Sequence, residues 1–398
     1  MAELQEKERA ESGIRGKEHV QRTWRIHNYD KGDRCVWNRY KQSFEGEDKM
    51  REYSVEIKPL TPLWTGDENR RSETLRETGI LGSLRWWYEA LIRGLGGSAC
   101  DPTNSKCEGR NHCDACELFG CTGWSRKFRL EVEFNLTVPK VWVGTRKKRG
   151  NKYLKRNVAG FMADEAIIPK FIPLRDISPN EWALLNKTLE IIANYGALGA
   201  RTSQGNGVIE IIENNLPYKD ENPEKSKLKG KGKKVDSPNL ANFFFYKFHI
   251  NFKENVSNLI NEEVFWTHQP DHHGFQDNWE HWKKVWNEYH FLPIAFHIRD
   301  AIRRMEEDDK NKRHETFGES GKGSKIFVSH GYKVGNDKTV EVRMWGYDVR
   351  DSIKNKIKKK LKDKLEEKLF SGEEYKKNLE SCNLIEEKTG EEILEGLK

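Results

Sequence analysis

Long apolar runs are missing from this sequence. Nowhere in its 398 residues does a stretch approach the ~20 consecutive apolar side chains that a membrane-spanning helix requires. A helical membrane protein is excluded on that ground, and a soluble one is expected. Residues Met1 to Arg25 carry charges throughout and no apolar segment, so no secretory signal is read there, and the expected location is the cytoplasm with no membrane partner. Histidines paired at a catalytic spacing are also lacking. Cysteine is scarce outside one short stretch: Cys35 and Cys382 stand alone, and the other five of the seven fall between residues 100 and 121.

At roughly 150 residues per domain the length accommodates two to three domains. Net charge is +7, a mild excess that matters only because it is unevenly placed. The segment Thr145 to Arg156 holds Arg146, Lys147, Lys148, Arg149, Lys152, Lys155 and Arg156 without a single acid. Lysines cluster again at Lys225 to Lys234 and between Ile353 and Leu369. Basic stripes beside many aromatics suit a polyanion with stackable bases better than a membrane surface, which would call for an apolar face next to the lysines. For any single run the plain alternative is a solvated surface.

Periodicity supplies the elements. Residues 1–48 are charged, lack a sustained pattern and read as an N-terminal extension. Tyr53, Val55 and Ile57 alternate with polar residues as a strand does, up to Pro59 and Pro62. Leu84, Trp87, Tyr88, Leu91, Ile92 and Leu95 form a helical stripe closed by Gly94, Gly96 and Gly97, with Arg85, Glu89 and Arg93 on another face. Strict alternation from Phe128 to Val138 gives a second strand, and Ile167 to Ile172 a third. Ser178, Pro179 and Glu181 open another helix with a capping box, and Val208 to Ile212 is a fourth strand. Strand, helix, strand, strand, helix, strand is the order of the ferredoxin-like, RRM-like plan.

That domain is expected at 49–217, with an insertion at 98–118. Residues 218–238 read as a lysine-rich linker or disordered loop. Residues 239–349 are expected to hold a strand at Phe243 to Phe252, a helix bearing Trp279, Trp282 and Trp286, and a helix from Pro293 to Met305. A hairpin of Lys325 to Val334 with Val340 to Trp345 completes that set. Residues 350–398 read as a lysine-rich helical tail whose stripe of Ile353, Ile357, Leu361 and Leu365 is too narrow to make a core. The fold class is α+β.

The cysteine cluster is the sharpest chemical signal. In a reducing compartment such a cluster binds metal more often than it forms disulfides. Cys100, Cys107, Cys113 and Cys116 supply four thiolates at a spacing that wraps a tetrahedral Zn²⁺ with no open position, so the ion is structural. His112 in place of one thiolate, Cys121 in place of Cys100, and a chance group of buried thiols remain open alternatives.

Four glycines in Gly196–Gly207 (GALGARTSQGNG) let backbone approach a phosphate chain, with Arg201, Ser203 and Gln204 as donors, although a helix cap and turn would look the same. Together with Leu60–Gly66 (LTPLWTG), Gly79–Trp87 (GILGSLRWW) and Glu117–Gly120 (ELFG), this loop resembles the RAMP superfamily of CRISPR-associated proteins. Within it the nearest likeness is to the first-subunit family of the type III-B Cmr effector complex. The likeness covers about residues 50–213, and Ser324 to Tyr347 resembles the family's second half more loosely.

The resemblance implies two ferredoxin-like domains and a place in cytoplasmic antiviral defence. It implies as partners a CRISPR guide RNA near its 3′ portion, the target RNA and other Cmr subunits, and no catalysis by this subunit. Candidate phosphate contacts are Arg85 on the first helix's outer face, Arg201 and Gln204, and the basic loop with Arg146, Lys147, Lys148 and Arg149. Arg70, Arg71, Trp124 and Lys127 are lesser candidates. Trp86 and Trp87 read as core packing. The rival class is a RAMP-type endoribonuclease acting on guide precursor or target. Its candidate groups are Asp67, His268, His272, His273 and His330, and none has a partner at a telling spacing.

Overall fold

The computed structural model describes residues 51–66, 72, 74–104, 106–137, 139–149, 152–266, 278–306, 310–319 and 322–397. Residues 50–398 form one compact unit; residues 1–49 are assigned to another, and the N-terminal extension expected there lies outside the described residues.

The first half is built on β1 (Tyr53–Pro59), α1 (Glu77–Gly94), α2 (Asp114–Phe119), β2 (Phe128–Thr137), β3 (Lys140–Arg149), β4 (Lys152–Ala159), β5 (Met162–Pro173), α3 (Pro179–Asn194) and β6 (Ile209–Asn214). Its four-stranded sheet has the order β2-β5-β1-β6, with every neighbouring pair antiparallel. Val55 and Ile57 of β1 point into the core, as their alternation requires. Ile80, Leu84, Trp87, Tyr88, Leu91 and Ile92 of α1 cover the same core. The capping box that opens α3 is formed on both sides: the Ser178 side chain accepts the Glu181 N–H, and the Glu181 carboxylate accepts the Ser178 N–H.

Between β2 and β5 the chain departs from expectation. The basic segment read as a loop is a two-stranded hairpin, in which β3 and β4 pair from Lys140 opposite Ala159 to Arg149 opposite Lys152. Val141, Val143 and Val158 at its base are buried in the second half's core.

The second half comprises β7 (Phe243–Phe252), α4 (Val256–Asn261), α5 (Asn278–Tyr289), β8 (Phe291–Leu292), α6 (Ala295–Arg303), α7 (Lys310–Phe317), β9 (Ile326–Val328), β10 (Gly331–Lys333), β11 (Thr339–Tyr347), α8 (Asp351–Leu369), β12 (Leu379–Thr389) and α9 (Gly390–Glu395). Its sheet runs β12-β7-β11-β10-β8, with β9 also on β11. The expected hairpin arm is cut in two at Ser329 and His330, and its halves reach different stretches of β11. Trp282 and Trp286 are buried: Trp282 Nε1 donates to the Trp142 carbonyl at 3.1 Å, and Trp286 Nε1 to Asp337 at 3.0 Å.

Taking β7, β10, β11 and β12 as first to fourth strands gives the order fourth, first, third, second. That is the order the first sheet shows with β1, β2, β5 and β6. The segment expected as a tail therefore supplies the fourth strand. The narrow stripe of α8 suffices because it meets a sheet and other helices: Ile353, Ile357, Leu361, Leu365 and Leu369 are all buried. Each such burial contributes roughly 1.5–3 kcal/mol before chain entropy is counted.

The two halves meet in an aromatic cluster, where Trp86 and Trp87 of α1 pack on Phe243, with ring centroids 6.0 and 5.6 Å apart, and Trp86 also packs on Tyr347. No helix among the described residues is long and apolar enough to cross a membrane. Leu361→Ala is expected to cost about 2–5 kcal/mol in urea unfolding. A loss below about 0.5 kcal/mol, the scale of surface substitutions, would show that this segment is a dispensable appendage.

Candidate functional site

The glycine pair that ends α1 turns the chain into the cysteine insertion. Cys100 and Cys107 lie in its loop, Cys113 caps α2, and Cys116 sits one helical turn further on. All four are buried, and their sulfurs lie within 4.8 Å of one another. Cys100 Sγ and Cys116 Sγ are 3.6 Å apart. A tetrahedron with ~2.3 Å zinc–sulfur bonds has edges of about 3.8 Å, so the cavity between these sulfurs has the size such an ion needs.

His112 does not join them. Its Nδ1 meets the Gly109 carbonyl at 2.9 Å and its Nε2 meets Glu117 at 2.5 Å, while its ring lies on Trp124 with centroids 4.3 Å apart. Cys121 pairs through its backbone with Trp124 and stays outside the group.

Four thiols this close compete for protons. Hydrogen bonds from Cys113 and Cys116 pull the Cys100 thiol far below its usual range. The Cys100 sulfur in turn pushes Cys113 up to about 12 and Cys116 higher still. Cys100, Cys107, Cys113 and Cys116 could hold a cation as four thiolates, and its binding would release their protons.

Arg85 faces this cluster. Expected on the helix's outer face, its guanidinium points inward: Nη2 donates to Cys116 Sγ at 3.1 Å, Nη1 to the Gly120 carbonyl at 2.8 Å, and Nε to Glu89 at 2.7 Å. Burial opposes its charge, but the Glu89 hydrogen bond and the nearby sulfur more than offset this and raise its pKa. Glu89 is itself buried and lies 3.5 Å from Arg93, which donates to the Cys100 carbonyl at 2.7 Å and to the Pro238 carbonyl at 2.9 Å. The i, i+4 row visible in the sequence is thus an internal tie between the helix and the cysteine loop.

Two lesser candidates are also engaged. Lys127 pairs with Glu117 at 2.7 Å and Glu181 at 2.9 Å. Trp124 is covered on one face by His112 and lies 4.6 Å from the Arg175 guanidinium. Arg70 and Arg71 lie outside the described residues, as do Asp67, His268, His272 and His273.

The glycine loop packs against the Leu60–Gly66 motif. Gly207 donates to the Pro62 carbonyl and Ala200 to the Trp64 carbonyl, and Thr61 Oγ1 accepts the Val208 N–H. A Cβ on Gly207 would stand 2.0 Å from the Leu198 carbonyl oxygen, and its φ of +91° is one that side chains disfavour, so glycine here serves close packing of backbone on backbone. Arg201 rests on the Trp64 ring at 4.2 Å, and Gln204 ends the turn that follows; both are half-buried. The loop docks on the second half, where the His330 N–H donates to the Gly205 carbonyl at 3.0 Å. His330 is fully buried, its Nδ1 accepts the Ala295 N–H, and burial lowers its pKa to about 3. It is a neutral packing residue.

Arg146, Lys147, Lys148 and Arg149 fall together on β3, at the end of the hairpin away from its buried base. Sequence reasoning missed Trp142 on the same strand. Its backbone N–H and carbonyl are both bound by the Asn278 side chain, at 2.9 and 2.8 Å, while its ring is 43% exposed. Strand alternation with Val141 and Val143 is the signal that could have found it.

Replacing Cys113 and Cys116 together by serine is expected to abolish a stoichiometric bound ion and to lower the thermal unfolding midpoint, checked by elemental analysis and calorimetry. A parent protein without a bound ion, together with an unchanged midpoint in the variant, would mark the cluster as four inert buried thiols.

Residues 56–210 match the RAMP superfamily. No curated protein matches the chain. Among solved structures it is similar to a crystal structure of Cmr1 from Pyrococcus furiosus in its apo form, at 12% identity and a TM-score of 0.38, over 84% of this chain and 98% of that one. It is also similar to a cryo-EM structure of the type III-B Cmr-beta complex bound to cognate target RNA, at 16% identity and a TM-score of 0.29, over 42% of this chain and 55% of that one. The stretch that matches the RAMP superfamily model thus runs from within β1 to the start of β6.

Proposed function

We propose that this chain is a non-catalytic RNA-binding subunit of a type III-B CRISPR effector complex, contacting the 3′ portion of the guide RNA and its target duplex in cytoplasmic antiviral defence. Its two sheets act as a pair of ferredoxin-like domains, and a structural Zn²⁺ closes the cysteine insertion. Four buried thiolates in tetrahedral reach are the donor set that ion favours.

The observation that carries the reading is the β3–β4 hairpin. Eight basic residues and no acid lie on the two strands of this arm, which is anchored at its base and inserted into the stretch that matches the RAMP superfamily. Neutralising phosphates with such side chains supplies affinity that does not depend on base identity, as a subunit must when guide sequences vary and base pairing carries the specificity. The exposed Trp142 ring at the foot of the arm adds a surface on which a base can stack. The endoribonuclease alternative gains nothing from His330, whose burial and lowered pKa suit packing.

Neutralising Arg146, Lys147, Lys148 and Arg149 together is expected to weaken binding to every RNA sequence alike and to reduce the slope of log affinity against log salt by about 3, at roughly 0.7–0.9 per phosphate contact. An unchanged slope would remove the hairpin from the interface. Site-specific cleavage of a transcript by the purified chain, lost on a single histidine or aspartate replacement, would overturn the non-catalytic reading.

A further inference from the structure

The lysine-rich segment before the second half was expected to be a linker or disordered loop. Instead it lies along the cysteine insertion as a strap, with a 3-10 turn at Lys225–Lys227 and a bend at Gly232. Its start is held by Asn180, whose side chain accepts the Glu224 N–H at 2.6 Å and donates to the Glu224 carbonyl. In its middle the N–H groups of Lys231 and Gly232 both donate to the His112 carbonyl, at 3.1 and 3.0 Å. The Gly230 N–H donates to Asp114 Oδ1 at 2.6 Å, and Ser98 Oγ donates to the Gly230 carbonyl at 3.0 Å. Its far end is tied by the Val235 N–H on the Ala99 carbonyl and by Arg93 on Pro238.

Glycine and lysine alternate here for a steric reason. A Cβ on Gly232 would meet Cys113 N at 2.3 Å and Cys107 Sγ at 2.6 Å; one on Gly230 would meet Asp114 N at 2.3 Å. The inward positions therefore press directly on the peptides and sulfur of the metal centre. The outward positions, Lys229, Lys231 and Lys233, are exposed, as is Lys234. Lys229, Lys231 and Lys233 thus form an exposed row along the strap, which bends at Gly232.

None of these four lysines has a carboxylate partner among the described residues. Four lysines of α8 differ: Lys354, Lys358, Lys362 and Lys364 are each paired with an acid. Beside the row, Lys106 and Asn111 of the cysteine loop line a shallow pocket of about 480 Å³ with Lys231 and Lys233; Glu108 is the one carboxylate on its wall.

We propose that residues 229–234 form a phosphate-binding ridge for a single RNA strand, and that the four-cysteine metal centre behind them is the fastener that holds the ridge in place. This rests on the RNA-binding reading above and extends it to a second site, separate in sequence from the β3–β4 hairpin. The metal acts by fixing the peptides at Cys107, His112 and Cys113 against which the strap lies. When the centre empties, the strap loses its bed and its lysines lose their common spacing.

The test uses the full chain, a polyuridylate oligomer and trypsin. Lys229, Lys231 and Lys233 are replaced together by glutamine, which leaves the buried face untouched. The salt slope of RNA binding is expected to fall by about 2 units, three contacts at roughly 0.7 each on a single strand. Chelation should produce the same fall in the parent protein and none further in the triple variant. It should also open the strap to trypsin between residues 225 and 234. Gly232→Val, which retains all four cysteines, should open the strap with its metal still bound. If the parent binds RNA and the triple variant has the same slope, the ridge is not a contact. If trypsin cuts the strap equally fast with and without metal, the centre is not its fastener. A parent protein that binds no RNA at any salt concentration would instead sink the functional reading, and the ridge with it.

Discussion

The insertion between α1 and β2 has too few apolar side chains to fold by hydrophobic burial, so the meeting of four sulfurs is what organises it. Leu118 and Phe119 reach the main core, and in the loop that carries Cys100 and Cys107 the buried contacts come from Ala99, the four sulfurs and the strap laid over them. Buried thiolates need positive charge nearby, and the α1 face toward them supplies it as Arg85, with Glu89 between Arg85 and Arg93. Breaking such a buried ionic row leaves an uncompensated charge, typically a loss of about 3–5 kcal/mol. The strap and the turn into β7 are hung from the same place, through the Cys100 and Pro238 carbonyls that Arg93 binds. An element that looks peripheral in the sequence thus connects the two halves.

A second consequence concerns the motifs. Trp86 and Trp87 pack against Phe243 and its neighbours, the glycine loop lies on Leu60–Gly66, and His330 seals the loop from the other side. These residues make the junction between the sheets rigid. Arg201 on the Trp64 ring lies in the loop at this junction, while the basic hairpin and the strap are separate elements. A rigid junction with charged margins suits recognition by shape and charge, since it holds separated cationic sites in fixed relation.

Much of this was legible in the sequence, because it depended on local rules. The strands from Tyr53 and Phe128, the capping box at Ser178 and the buried face of α1 all follow from periodicity and caps read over a few residues. So did the set of four cysteines, since a CxxC pair at a helix start can close on one point. Non-local pairing was not legible. The edge strand β12 reads Leu-Glu-Ser-Cys-Asn-Leu-Ile-Glu-Glu-Lys-Thr, without the clean alternation that marks a strand facing one core, and only its pairing with β7 defines it. The basic hairpin hid behind its charge, because lysines and arginines on a solvated arm give no hydrophobic period. Arg85 was placed on the wrong side because helical spacing groups residues by face without saying what that face meets.

The three basic runs finally differ in how their charge is held, and this decides what each can do. On α8 four of the eight lysines pair with acids on the same helix or on β12, so part of that charge is neutralised within the fold, and the helix takes its order from the apolar stripe beneath. The hairpin and the strap have no such internal acids in their basic stretches. A disordered lysine linker must be ordered whenever it binds, and each residue fixed costs on the order of 1–2 kcal/mol of backbone entropy. A strap whose glycines are already pressed against the cysteine peptides has lost that freedom in the folded state. Its lysines keep only side-chain freedom to lose, and the same charge then yields tighter binding for the same number of phosphates. Placing a buried four-cysteine cluster under a Lys-Gly repeat therefore turns a composition that elsewhere signals disorder into a preorganised cationic edge.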